Sequence, residues 1–400
     1  MLVTIGIATD GRPVISREGA GRGLTRVRNV AIGLGFHWQR TIECDFPGEI
    51  RRNPDPDSPY TLLNTLPLET YLECVVGSEM NPSAPPEFLR AHAIISRSWA
   101  AGKILHRHPA EPPAATSVAN GSHRVIIGWE DTSDHHGFHL CADDHCQRYQ
   151  GVQPLSPEAR EAIRATAGIV LTGPSGKIVD ARFSKCCGGT TELFSTCWQD
   201  ERRDTPAPEC LESFDDPWCD LSGLTPEDRD SLLRTILKDY DRTTGGGYRW
   251  QTDISARELR DRLRERHGID IGEITAIEPL RRGMSGRISL LRLRGTTATL
   301  DLGKELYIRR LLSPDCLYSS AFEATLIGDP TTDASIGNHL TFRLRGKGWG
   351  HGVGLCQTGA AHMAVCGRSH TSILRFYYPN STLTHLDTLT DSSFVLPISE

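Results

Sequence analysis

The stretch at residues 66–103, LPLETYLECVVGSEMNPSAPPEFLRAHAIISRSWAAGK, constrains the chain more than any other. Its apolar residues recur at helical spacing, and prolines divide it into two helices. The first is predicted over about 68–80. Asn81-Pro82 ends it, because proline lacks an amide hydrogen and disfavours a helical residue before it. Pro85-Pro86 can open the second helix, whose first turn needs no amide donor. Leu72, Val75, Val76 and Glu79 stand at i, i+3, i+4 and i+7 and share one face. Glu79 therefore prolongs an apolar stripe. A carboxyl there is desolvated, which favours its protonated form, as a general acid working near neutral pH requires. The competing reading is an exposed glutamate at a fraying helix end.

A second constrained stretch lies at 345–380, RGKGWGHGVGLCQTGAAHMAVCGRSHTSILRFYYPN. Glycines at 346, 348, 350, 352 and 354 surround Trp349 and His351. Such a backbone can approach a ligand closely or take positive φ. An aromatic face beside an imidazole suits a sugar. The plainer alternative is a glycine-rich turn that packs Trp349 into the core. No Gly-x4-Gly-Lys-Ser/Thr occurs, which disfavours a phosphate loop.

Bulk properties narrow the classes. Four hundred residues can bury a sizeable core in two or three lobes. A net charge of −6 argues against a protein held to nucleic acid by general basic charge. No apolar run of about 18 residues is present, so no transmembrane helix is expected. The first residues lack an apolar signal-peptide core. Twelve cysteines point either to an oxidising compartment or to bound metal.

Along the chain, strands are predicted at 2–7, 27–32, 168–171, 177–181 and 287–293, and helices at 157–167, 226–240 and 255–267. Residues 106–122 read as an irregular connection. Four regions follow: 1–60, N-terminal strands and a loop; 61–196, carrying the helix pair; 197–249, a cysteine-bearing insertion or peripheral subdomain; and 250–400, a second lobe with the Gly-Trp-Gly-His motif.

These segments together resemble the SpoIID/LytB family of peptidoglycan lytic transglycosylases. The family's Leu-Pro-Leu-Glu-x-Tyr-Leu opening corresponds to Leu66-Pro67-Leu68-Glu69 with Tyr71-Leu72. Its Glu-Met corresponds to Glu79-Met80, and its Ala-x-Ala-x-x-x-Arg core to Ala91, Ala93 and Arg97. Its closing motif is matched by Gly346, residues 348–354, Gln357, Gly359-Ala360, Met363-Ala364 and Tyr377-Tyr378-Pro379. Residues 183–192 resemble its Phe-x-x-x-x-Gly-Gly-x-Thr-Glu segment. The chain departs from the pattern at Ser83-Ala84, where a Trp-Pro is common, at Cys187 and Cys356, where serines are common, and at Thr358, where an aromatic is common.

The resemblance implies an α+β fold with a mostly antiparallel sheet core and a substrate cleft between lobes. It implies cleavage of the β-1,4 bond between N-acetylmuramic acid and N-acetylglucosamine, with formation of 1,6-anhydro-N-acetylmuramic acid. Glu79 is then the catalytic acid, and Arg97, Gly188, Gly189, Trp349, His351 and Gln357 bind substrate. Peptidoglycan glycan strands are the partner, and the cell envelope is the location. The alternative is a LytB-like, non-catalytic glycan binder that enhances a cell-wall amidase.

Some members of this family carry zinc just before a Gln-x-Tyr-x-Gly element, here Gln147, Tyr149 and Gly151. At the matching place His135, His136, His139, Cys141, His145 and Cys146 fall within 12 positions. Thiolates with imidazoles select zinc. The expected ligands are His135, Cys141, His145 and Cys146, with His136 as substitute for His135. Two cysteines and two histidines leave no open position, so the role is structural. The alternative is a Cys141–Cys146 disulfide with surface histidines. Cys197, Cys210 and Cys219 could pair among themselves or with Cys186, a connectivity that sequence does not fix. A nucleophilic Cys187 would need a base and a lowered pKa.

Overall fold

The computed structural model describes the chain except residues 37–38, 82, 106–115, 129–134, 136, 199–209, 238–246, 328–339 and 390–400. Its helices are α1 (Leu68–Glu79), α2 (Pro86–Leu105), α3 (Pro157–Ala165), α4 (Phe194–Cys197), α5 (Pro226–Ile236), α6 (Ala256–His267), α7 (Glu305–Leu312), α8 (Gln357–Val365) and α9 (His370–Tyr377). Helix starts follow local chemistry. Ser156, Thr225 and Ser255 each accept a hydrogen bond from the backbone N–H three residues on, and Pro157 and Pro226 begin α3 and α5. Gly268 closes α6 at φ 62°, a left-handed position that suits glycine.

Three sheets carry most of the strands. In the first, Leu2–Ser16 pairs antiparallel with Thr25–Ile32 and Thr61–Pro67. The short strand Leu140–Cys141 adds to it in parallel. Val3, Ile5 and Ile7 alternate inward and are fully buried, as the two-residue period of a strand requires. The second sheet runs Ile274–Arg282, Ile288–Gly295, Thr299–Gly303, His123–Ile127, Thr116–Asn120, with one parallel pairing. The third joins Arg249–Ser255, Thr341–Lys347 and Phe322–Ile327, all antiparallel. The α+β class with mostly antiparallel sheets is thus the observed one.

Two apolar cores form. The first lies among the N-terminal sheet, α1, α2, α8 and α9. The second gathers Leu259 and Leu263 of α6, Ile308 and Leu312 of α7, and the strands between Trp250 and Leu344. Cys210, Leu211, Cys219, Leu232 and Ile236 belong to the first core, so the described part of 197–249 is built into it and has no core of its own.

Three local expectations fail. Residues 177–181 form no strand; a single bridge joins Thr172 to Ile178, and Val179 N–H donates to Leu171 O at 2.9 Å. The side chain of Asp180 is instead turned inward to Arg182 and Lys103. Within 106–122, Thr116–Asn120 is a strand, because it closes a hairpin with His123–Ile127. Helix α5 stops at Ile236 rather than near 240, and 238–246 lie outside the described residues.

Candidate active site

Helix α1 ends at Glu79, with Met80 extended behind it. Leu72 and Val75 are fully buried, and Glu79 is 6% exposed on the same face. The glutamate lines a cavity of about 190 Å³ together with Trp349, His351 and Gln357. The helix-end residue and the glycine-rich loop, 270 positions apart in the chain, therefore meet at one site. Glu79 Oε1 accepts from the backbone N–H of Arg148 at 3.0 Å, which fixes the carboxylate.

The loop at 348–354 is held from below. Cys186 and Trp349 exchange backbone hydrogen bonds at 3.1 and 2.7 Å. Arg287, fully buried, donates to Gly350 O from Nε (3.0 Å) and Nη2 (2.8 Å), and to Cys187 O from Nη1 at 3.1 Å. Gly352 has φ +77°, and a Cβ there would stand 2.5 Å from the Arg287 guanidinium carbon. The glycines are thus demanded by the buried arginine as well as by the turn.

His351 Nδ1 accepts from Val353 N–H at 3.0 Å. Burial, with the nearby charges of Arg182, Arg287 and Arg309, pushes its pKa well below the ordinary histidine value. The ring is neutral, with Nε2 as its donor face. Gln357 Nε2 lies 3.2 Å from His92 Nε2, and His92 packs edge-on against Phe183. Burial first, then Lys185, lowers the His92 pKa to about 3. Both imidazoles fold in neutral form, whereas an unfolded histidine titrates near 6.5. The unfolded chain then binds more protons below that pH, so stability is full above about 6.5 and falls on acidification. Denaturant titrations at stepped pH should show this loss, and it should shrink in His92→Gln.

Several lining residues carry no motif. Trp198 packs 5.0 Å from the His351 ring, and the Arg182 guanidinium lies 3.9 Å over its face. Helix α7 brings Glu305, Leu306, Arg309 and Arg310 from the second core. Asp144 also lines the cavity; burial pushes its pKa up to about 7, the Arg148 charge opposes this, and the Asp143 and Glu79 charges add to it. The lining holds Arg148, Arg182, Lys185, Arg309 and Arg310 against Glu79, Asp144 and Glu305, so it is cationic in a chain of net charge −6.

Three expected substrate residues lie elsewhere. Arg97 is fully buried between α1, α2 and strand Ile169–Thr172. Its Nε and Nη2 both donate to the Glu69 carboxylate at 2.8 Å, and Nη1 donates to Ile169 O at 3.0 Å. This is a packing arginine and lines no part of the cavity. Arg97→Ala leaves a buried void and strips two elements of their tie, so a loss of about 2–4 kcal/mol in denaturant unfolding is expected. Gly188 and Gly189, at φ +82° and +104°, support the loop from beneath. A Cβ on Gly188 would meet Gly348 N at 2.7 Å.

His135, Cys141, His145 and Cys146 converge, with one donor atom of each within 4.8 Å of the others. Cys146 Sγ lies 3.8 Å from His135 Nε2 and 3.6 Å from His145 Nδ1, and Cys141 Sγ lies 3.8 Å from His145 Nδ1. His135 Nδ1 faces His139 O at 3.4 Å, which leaves Nε2 for a ligand. Cys141 N–H points at Cys146 Sγ at 3.4 Å. Among the described residues no disulfide forms, so neither a Cys141–Cys146 bond nor pairings among Cys186, Cys197, Cys210 and Cys219 are present. His136 lies outside the described residues. His145 and Cys146 also touch the cavity, three and two residues before the Arg148 amide that holds Glu79.

The geometry defines an α+β protein with a buried glutamate, a neutral histidine and tryptophans around one cationic cavity between two cores. Comparison with known proteins gives the family. Residues 57–172 match the family described as stage II sporulation protein, and 192–354 match a domain of unknown function, DUF8618. The chain is 24% identical over 325 residues to stage II sporulation protein D of Bacillus subtilis, covering 81% of this chain and 76% of that protein. It is 25% identical over 327 residues to the protein of the same name from Bacillus amyloliquefaciens, with the same coverage. A stretch of 43 residues is 54% identical to the amidase enhancer of Bacillus subtilis, covering 11% of this chain and 6% of that protein. These matches support the SpoIID family for this chain, through the domain at 57–172 and the similarity over most of its length. That likeness supports a role connected with the cell wall. No helix among the described residues is long and apolar enough to cross a membrane.

Proposed function

We propose that this protein is a lytic transglycosylase that cuts the β-1,4 bond between N-acetylmuramic acid and N-acetylglucosamine in peptidoglycan. The observation that carries the reading is the convergence of buried Glu79 with Trp349, His351 and Gln357 on one cavity. Glycosidases that use water ordinarily need two carboxylates in fixed roles. Here one carboxyl suffices. Glu79 in its protonated form gives its proton to the leaving glycosidic oxygen. Its carboxylate then takes the proton of the muramic acid 6-hydroxyl as that oxygen attacks the anomeric carbon. The product is a 1,6-anhydro sugar, and Glu79 ends protonated.

The other residues orient the glycan. Trp198 and Trp349 offer ring faces, and neutral His351 steadies the loop between Val353 N–H and the Phe183 backbone. The cationic lining suits the lactyl carboxylate that distinguishes muramic acid. Zinc at His135, Cys141, His145 and Cys146 would fix the loop that presents the Arg148 amide to Glu79. A closed four-ligand site supplies structure rather than a reacting water. Activity on peptidoglycan places the protein outside the cytoplasmic membrane. Incubation with purified peptidoglycan tests the reading: anhydro-muropeptides are expected. Binding to sacculi without soluble product would favour the glycan-binding amidase enhancer instead, the reading that the short match to the Bacillus protein favours.

A further inference from the structure

Behind the glycine-rich loop lies a second cluster that the reaction does not use. Cys187, Asp216, Cys219 and Cys356 each turn one donor atom inward, all four within 4.8 Å of one another. The three thiols are fully buried and Asp216 is 1% exposed. Cys356 Sγ lies 3.5 Å from Cys219 Sγ, and Cys187 Sγ lies 3.3 Å from Asp216 Oδ2. Tetrahedral ligands at a zinc–sulfur distance of about 2.3 Å stand roughly 3.8 Å apart, so these separations suit a shared ion. We propose that Cys187, Cys219, Cys356 and Asp216 bind a second zinc ion, which staples the floor of the active-site loop.

The surroundings are those of a metal–thiolate site. Backbone N–H groups point at the sulfurs: Cys187 and Gly359 at Cys356 Sγ (3.3 and 3.4 Å), and Gly189 at Cys187 Sγ (3.4 Å). Such N–H groups stabilise negative sulfur and orient it. Cys356 caps the N-terminus of α8, whose positive end favours a thiolate. Asp216 Oδ1 accepts from Trp218 and Cys219 N–H, and Oδ2 accepts from Tyr377 Oη–H at 2.9 Å, so the carboxylate is held by its neighbours. Three thiolates and a carboxylate leave a charge of −2 on the zinc complex, and buried Arg287 sits against Cys187 O. Binding releases the thiol protons. Thiolates select zinc, and four protein ligands leave no place for a reacting water.

The ligands come from three distant segments. Cys187 follows strand Phe183–Ser184, Asp216 caps the turn Pro217–Cys219 that ends on Cys219, and Cys356 precedes Gln357 of the cavity wall. Gly359 fits this packing tightly, since a Cβ there would stand 2.1 Å from Tyr377 Oη and 2.7 Å from Asp216 Oδ2. The competing chemistry is a Cys186–Cys219 disulfide. Those sulfurs stand 3.4 Å apart and would have to close to about 2.05 Å.

Metal analysis of the full chain, purified with zinc and passed over a weak chelating resin, decides the matter. Two zinc ions per chain are expected. One should remain in Cys219→Ser/Cys356→Ser, and one in Cys141→Ser/Cys146→Ser. A wild-type protein with one zinc that is lost in Cys141→Ser/Cys146→Ser overturns the proposal, as does a wild-type protein without zinc. A Cys186–Cys219 disulfide in peptides mapped from the same preparation also overturns it. If one double variant fails to fold, native mass spectrometry of the wild type gives the count and the variant that folds assigns a single ion. Two ions support the second site. One ion supports it when Cys141→Ser/Cys146→Ser keeps it or Cys219→Ser/Cys356→Ser loses it, and overturns it in the reverse cases. Loss of the ion from the His135 site alone would leave one zinc that disappears in Cys219→Ser/Cys356→Ser, which still supports the second site.

Discussion

Replacing Glu79 by glutamine should lower release of anhydro-muropeptides by roughly 10²–10⁴-fold, the usual worth of a positioned acid–base group. The amide keeps the size of the carboxyl and an acceptor oxygen for Arg148 N–H, so the helix end and the cavity stay in place. The melting temperature and the binding of glycan should therefore change little while turnover collapses. Full turnover in Glu79→Gln would remove the acid from the mechanism. Unfolding of the variant would be uninformative alone, so Glu79→Asp serves beside it. Aspartate keeps the acid but withdraws it by one methylene, and it should retain partial activity.

The second large effect is expected at His135, Cys141, His145 and Cys146. Zinc there would close the segment from His135 to Cys146 about its short strand Leu140–Cys141, which pairs with Leu2–Ser16, and hold Asp144 and Arg148 at the cavity wall. In small zinc peptides the metal contributes on the order of 10 kcal/mol to folding. Even a third of that should lower the melting temperature by roughly 4 °C in a chain of this size. Cys141→Ser/Cys146→Ser should also slow turnover, because the Arg148 amide no longer holds Glu79 in position. Calorimetry with and without a chelator reads the first effect, and muropeptide release reads the second. A melting temperature indifferent to both would mean that the four residues hold no ion.

What the sequence disclosed and what it hid have separate physical causes. The phase of α1 was readable because Leu72, Val75 and Val76 repeat at helical spacing, and Glu79 falls in step with them. The convergence of His135, Cys141, His145 and Cys146 was readable because the four lie within 12 positions. Arg97 lies away from the cavity, which the sequence could not disclose. Its place in a motif says that the arginine matters, but not which way the side chain turns, and it turns to Glu69. Gly188 and Gly189 shape the loop through their positive φ rather than by touching the cavity.

Trp198, Arg182 and the α7 residues Glu305, Arg309 and Arg310 escaped notice because each comes from a segment without a pattern of its own. Long-range folding brings them together, and α7 reaches the cavity only because the second core packs beside the first. The cysteine–aspartate cluster behind the loop was hidden likewise. Its members are spread over positions 187, 216, 219 and 356, far outside any local metal-binding spacing.

Digestion of purified peptidoglycan in water enriched in oxygen-18 tests the central claim most directly. If Glu79 directs the muramic acid 6-hydroxyl to the anomeric carbon, mass spectrometry will find muropeptides one water lighter than reducing ends, with no heavy oxygen. Reducing ends that carry oxygen-18 would show that water is the nucleophile. Sacculi that bind the protein and release nothing would show a glycan-binding protein rather than an enzyme.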